Sequence, residues 1–146
     1  MVLWNGACHV HEEFSAEKLA ALKAAHPQAK VLAHPECRKP VLLLADVVGS
    51  TAALLKAATE APDGSEFIVA TESGILHEMR KLNPTKTFIP AQPTDSTCGC
   101  NDCSFMKLNT LEKLAECLEK MSPAVEVDPE VAAKARKPIE RMLSLS

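Results

Sequence analysis

Apolar residues fall along this chain in two kinds of run that take turns. Short, nearly unbroken stretches rich in Val, Ile, Leu and Phe occur at VLWNG (2–6), KVLAH (30–34), SEFIVAT (65–71) and KTFIP (86–90). Unbroken apolar runs of this length predict strands covered on both faces, as in a parallel sheet. Between them lie segments of about ten residues with helical character. Ser15 is placed to cap a helix through Ala25, which His26-Pro27 stops, and Lys18 stands where a capping box would carry an acid. Pro40 to Ala45 reads as a short helix and Asp46 to Val48 as a brief strand. Ser50 or Thr51 then caps an alanine-rich helix to about Thr59, before a turn at Pro62-Asp63-Gly64. A further helix is expected from Gly74 to Leu82, with a turn at Asn83-Pro84.

Strands alternating with helices in this way predict an α/β fold. Residues 1–104 are read as one three-layer α/β/α unit with a short parallel sheet, and residues 105–146 as a C-terminal helical segment. In that segment Leu108, Leu111, Leu114, Ala115 and Leu118 recur at helical spacing, which would bury Cys117 mid-helix. Asp128 caps a last helix with Pro129 at its first position. These two helices stand outside the repeating pattern and are expected to pack on something the chain does not contain.

The strand ends lead into GACHVH, AHPEC and VVGST. Open parallel sheets bind ligands beyond the carboxyl ends of their strands, so the chemically distinctive residues are expected on one edge. Cys8 follows a strand, where a cysteine is commonly a small core residue, yet Gly6, His9 and His11 beside it also suit a site. His34 and Glu36, held two apart by Pro35, suit proton transfer or a surface ion pair. Gly49-Ser50-Thr51 can either cap its helix or hold an anionic group at the helix N-terminus.

Six cysteines change the picture: Cys8, Cys37, Cys98, Cys100, Cys103 and Cys117. With 47% hydrophobic residues the chain has material for a core without disulfide staples, so reduced thiols that serve a metal or cluster are the better reading. Cys98, Cys100 and Cys103 lie in a polar loop entering a helix, a spacing that can hold zinc or an iron–sulfur cluster. A zinc ribbon would need a second C-x-x-C pair, which is lacking. A net charge of -3, scattered lysines and no Tyr exclude a nucleic-acid interface. No apolar run reaches the ~18 residues of a membrane helix, and the N-terminus lacks a signal-peptide pattern, so a cytoplasmic protein is expected.

Taken in order, Gly6-Ala7-Cys8 with His11, Ala33-His34-Pro35-Glu36-Cys37, Val48-Gly49-Ser50-Thr51, Ala70-Thr71-Glu72 with Gly74, and Cys103-Ser104-Phe105-Met106-Lys107-Leu108-Asn109 resemble the quinolinate synthase family. The resemblance implies the third of three pseudo-symmetric α/β/α domains, preceded by the end of the second, with the three meeting at a 4Fe-4S cluster held by one cysteine from each. It implies Cys8 and Cys103 as two of the three cluster ligands. It implies Glu36 as catalytic acid/base, and His11 and His34 as catalytic and substrate-positioning groups. It implies Ser50 and Thr51 as the holders of the substrate's anionic end. The reaction implied is condensation of iminoaspartate with dihydroxyacetone phosphate to quinolinate, in the making of NAD.

The family's loop motif is C-x-x-C-x-x-C. Here the first gap is one residue shorter at Cys98-Gly99-Cys100, which touches Cys98 and leaves Cys103 in place; Cys37 and Cys117 are expected to be non-ligands. Family members run to roughly twice this length, at ~100 residues per domain. The chain is therefore expected to be a fragment or truncated reading frame, inactive alone, with complementation by a separately encoded N-terminal half as the alternative. The competing reading is a non-catalytic zinc module built on Cys98, Cys100, Cys103 and a histidine.

Overall fold

The structure is a computed structural model that describes residues 6–95 and 101–145. It divides into two compact units, Met1–Lys107 and Leu108–Ser146, where the sequence pattern had set the change after residue 104.

In the first unit four parallel strands form one sheet: β1 (Lys30–Ala33), β2 (Val47–Val48), β3 (Glu66–Ala70) and β4 (Thr87–Pro90), in the order β2-β1-β3-β4. The helices of this unit are α1 (His9–Glu12), α2 (Ala16–Ala25), α3 (Lys39–Leu42), α4 (Thr51–Glu60) and α5 (Ile75–Leu82). The strand expected at residues 2–6 lies mostly outside the described residues.

Side chains alternate across the sheet and supply two separate cores. Val31, Ala33, Ile68 and Ala70 face one way and meet Phe14, Leu19 and Val41 from the segment carrying α1, α2 and α3. Leu32, Phe67, Val69 and Phe88 face the other way and meet Leu54 and Ala58 of α4 and Leu76 and Met79 of α5. The expected α/β/α layering follows directly, because each central strand is apolar on both faces.

Local chemistry explains where the helices start. The Ser15 side chain accepts a hydrogen bond from Lys18 N at 3.2 Å, and Ser50 accepts one from Ala53 N at 3.3 Å, so Ser50 rather than Thr51 is the cap of α4. Gly49 is required just before it: a Cβ there would stand 2.9 Å from the Cβ of Ala53. The helix expected at 40–45 is shorter and ends at Leu42, since the chain must turn to deliver Asp46 to the sheet edge. There Asp46 N donates to Val31 O at 2.9 Å, while its carboxylate accepts from Val31 N at 2.7 Å and Lys23 Nζ at 3.0 Å. The side chain thus stands in for a backbone partner at the point where β2 has not yet begun.

The second unit holds α6 (Leu111–Lys120) and α7 (Pro129–Leu143). Thr110 caps α6 and Asp128 caps α7 through Glu130 N and Val131 N, with Pro129 in the first turn as expected. Cys117, expected to be buried, is exposed. The helical spacing was sound, but every described residue of this unit is exposed, so its apolar stripe buries nothing. Among the described residues no helix is long and apolar enough to cross a membrane.

Removing the Asp46 carboxylate leaves Val31 N unpaired beneath the sheet edge, so Asp46→Ala is expected to cost about 1–3 kcal/mol at pH 7. Burial opposes ionisation of Asp46, but the Val31 amide and Lys23 outweigh it and hold its pKa below the usual carboxylate range. The stabilisation is present above the unfolded-state pKa and is lost as pH falls through the lowered folded-state value. Urea unfolding of the two proteins should show the gap at pH 7 and its narrowing toward pH 3; a gap independent of pH would contradict the assignment.

A candidate active site at the carboxyl edge of the sheet

The chain leaves β1 toward β2 on one side and leaves β3 toward β4 on the other. Between β1 and β3 the chain therefore diverges to opposite sides, which opens a crevice at their carboxyl ends. His34 follows β1 and Thr71 follows β3, and His34 N donates to Ala70 O at 3.1 Å, so the two segments are locked side by side as they leave the sheet.

α1 lies across this opening. Cys8 is its N-cap and His11 its third residue, so the two emerge one helical turn apart. The His11 ring is 7% exposed, and its Nε2 lies 3.0 Å from Thr71 Oγ1. It stacks on the His34 ring with centroids 4.3 Å apart and planes at 14°. Glu36 Oε2 lies beside this stack, 3.2 Å from His11 Nδ1 and 3.6 Å from His34 Nδ1.

Neither approach is an ordinary ion pair. Glu36 N donates to His34 Nδ1 at 3.3 Å, which requires a lone pair on that nitrogen and places the His34 proton on Nε2. His11 Nδ1 is buried and, although 3.2 Å from the carboxylate, makes no well-formed hydrogen bond. Burial, and then His34, lower the His11 pKa, with Glu36 and Glu72 pulling the other way.

The loop carrying Cys103 is tied to the same edge through the end of β3. The Glu72 carboxylate accepts from Gly74 N at 2.8 Å and Cys103 N at 3.4 Å, and lies 3.9 Å from Lys107 Nζ. Ser73 N donates to Asn101 O at 3.2 Å, and the Ser73 hydroxyl bonds the Asp102 carboxylate. Asn101 is itself buried and donates to the Ala91 carbonyl. Beyond Cys103, the Phe105 ring meets the His9 ring edge-on at 5.4 Å, which draws the loop toward the segment bearing Cys8. Upstream, Thr94 N donates to Glu13 O at 2.7 Å and Ser15 N to Gln92 O at 3.1 Å, pinning the exit of β4 to the corner between α1 and α2.

The structure thus brings Cys8, His11, His34 and Glu36 together, with the Cys103 loop fastened nearby. Ser50 and Thr51 open α4 just beyond β2, on the same edge, and Thr51 is exposed. Cys98 and Cys100, and with them the proposed zinc loop, lie outside the described residues. Cys37 points into the core, where its thiol donates to Ala70 O at 3.4 Å. Burial above all, with Cys8 and Glu36 nearby, pushes that thiol up to about 11.

Sequence reasoning gave no role to Thr71 or Glu72, although both belong to the Ala70-Thr71-Glu72 motif. Their partners lie 60 and 31 residues away, and only the strand order reveals them. A carboxylate and a hydroxyl directly after a buried strand were the available signal.

A family model described as "Quinolinate synthetase A protein" matches residues 1–144. Among curated relatives, the quinolinate synthases of Synechococcus sp., Thermosynechococcus vestitus and Chloroherpeton thalassium are 52%, 53% and 53% identical over all 146 residues. The match covers 45%, 46% and 45% of those proteins, so the chain spans less than half of their length.

Two outcomes are expected from the geometry. On the native chain at pH 8, iodoacetamide should modify Cys117 quickly and leave Cys37 protected until denaturant is added, read by peptide mass spectrometry; prompt labelling of Cys37 would contradict its burial. Glu72→Ala should speed amide hydrogen exchange across residues 101–107 by about tenfold, the loss of one charge-assisted anchor, and leave β1 and β3 unchanged.

Proposed function

The chain belongs to the quinolinate synthase family, and we propose that it supplies the acid/base and anion-binding half of such an enzyme. In this reading the complete enzyme condenses iminoaspartate with dihydroxyacetone phosphate, releasing phosphate and water to give quinolinate. The observation that carries it is the Glu36 carboxylate held at the Nδ1 edge of two stacked imidazoles in the crevice between β1 and β3.

Each residue has a task suited to its surroundings. Glu36 is half exposed and can take a proton at Oε2 from a substrate carbon or hydroxyl and return it later. His34, with its proton on Nε2, offers that N–H to a substrate oxygen. His11, oriented by Thr71 and kept neutral by burial, lines the wall and sets the position of Glu36. Ser50 and Thr51, with the free amides of the first turn of α4, suit the anionic end of the substrate, a phosphate or carboxylate.

The same reading assigns Cys8 and Cys103 to a 4Fe-4S cluster, with the third thiolate from a part of the family's fold outside this chain. Both are free, half-buried thiols, and the His9–Phe105 contact draws their two segments together, which fits that role. A cluster with three protein ligands supplies an open iron position that acts as a Lewis acid toward substrate oxygen or nitrogen.

A chimera tests this. The homologous segment of the Synechococcus enzyme would be replaced by this chain, purified and reconstituted anaerobically, and quinolinate measured by chromatography. Turnover is expected in the chimera, and Glu36→Gln in it should lower kcat by about 10²–10⁴ with little loss of iron. Full turnover in the Glu36→Gln chimera would remove Glu36 from the chemistry.

A further inference from the structure

One ligand atom each from Cys8, His11 and Glu36 lies within 4.8 Å of the other two. Two of them are spaced C-x-x-H on a single helical turn, and the third comes from the loop after β1, so two rigid elements hold the set. The buried Nδ1 of His11, which makes no hydrogen bond, faces this space, and Glu36 Oε2 stands 3.2 Å from it. The opposite ring nitrogen is fixed by Thr71 Oγ1 at 3.0 Å, the kind of outer partner that orients metal-binding histidines.

We propose that Cys8 Sγ, His11 Nδ1 and Glu36 form a site for a single divalent cation of the zinc class, with a fourth position left to water. The chemistry selects the ion. One sulfur, one nitrogen and one oxygen donor suit a borderline-soft tetrahedral ion, whereas magnesium and calcium prefer oxygen donors alone. On binding, the Cys8 thiol gives its proton to solvent and the thiolate forms the metal–sulfur bond; nothing is oxidised or reduced.

This site needs no second cysteine, which separates it from the cluster assignment. Because Cys8 serves in both, a single cation and a cluster exclude one another there. A zinc-class ion bound there would therefore block cluster assembly. The inference rests on the cysteine–histidine–glutamate geometry and not on the proposed reaction.

Cobalt(II) is the probe, titrated anaerobically into the reduced full chain with no iron or sulfide present. The expected result is one equivalent bound, with intense visible bands of a tetrahedral ion and a charge-transfer band from one thiolate, both displaced by zinc. Cys8→Ser should abolish the charge-transfer band. Glu36→Gln, at a half-exposed side chain that the fold does not need, should weaken binding about tenfold or more, while Cys103→Ser leaves the spectrum unchanged. Circular dichroism on each variant confirms the fold. Survival of the charge-transfer band in Cys8→Ser, or its loss in Cys103→Ser, would overturn the proposal, as would the weak spectrum of an octahedral ion.

Discussion

β1 and β3 run parallel side by side, and their pairing continues one step past the sheet, where His34 N reaches Ala70 O. That hydrogen bond fixes the relative height of two loops that are otherwise far apart in sequence. From one loop come His34 and Glu36, and from the other Thr71 and Glu72. Had the register slipped by a single residue, side chains would exchange faces, and the two cores would lose their fit along with the crevice.

The end of β3 then acts in two directions. Thr71 turns toward α1 and sets the orientation of His11, while Glu72 turns toward the amide of Cys103 and the ammonium of Lys107. One short segment thereby links the helix that bears the first thiol to the loop that bears the second. The ties from Gln92 and Thr94 to the α1–α2 corner, and from Asn101 to Ala91, hold the rest of the path between them. Rigid strands carrying short polar loops are a common way to keep reactive groups still while leaving them accessible.

The electrostatics of the crevice follow from crowding. Two imidazoles stacked at 4.3 Å disfavour a second positive charge, and burial adds to this at His11, while the Glu36 carboxylate beside them pulls the other way. Such a cluster is poised to accept a proton or a cation, and both the proposed reaction and the proposed zinc-class site draw on that property. Cys37, only one residue from Glu36, takes no part because its thiol is sealed in the core.

Much of this was legible in the residue pattern. Unbroken apolar runs such as FIVA required strands covered on both sides, and Ser15, the Ser50-Thr51 pair and Asp128 marked helix starts because capping is a local event between neighbours. The motifs around Cys8, His34, Ser50 and Cys103 pointed to their family in the same direct way. What the chain order could not give was the strand order β2-β1-β3-β4, and with it the meeting of His11 with Thr71 and of Glu72 with Cys103. Nor did helical spacing decide burial: the stripe that suggested a hidden Cys117 lies exposed, because periodicity shows which face is apolar and only a packed partner can cover it. Local chemistry is written residue by residue, whereas contacts across 31 or 60 positions exist only once the sheet has chosen its neighbours.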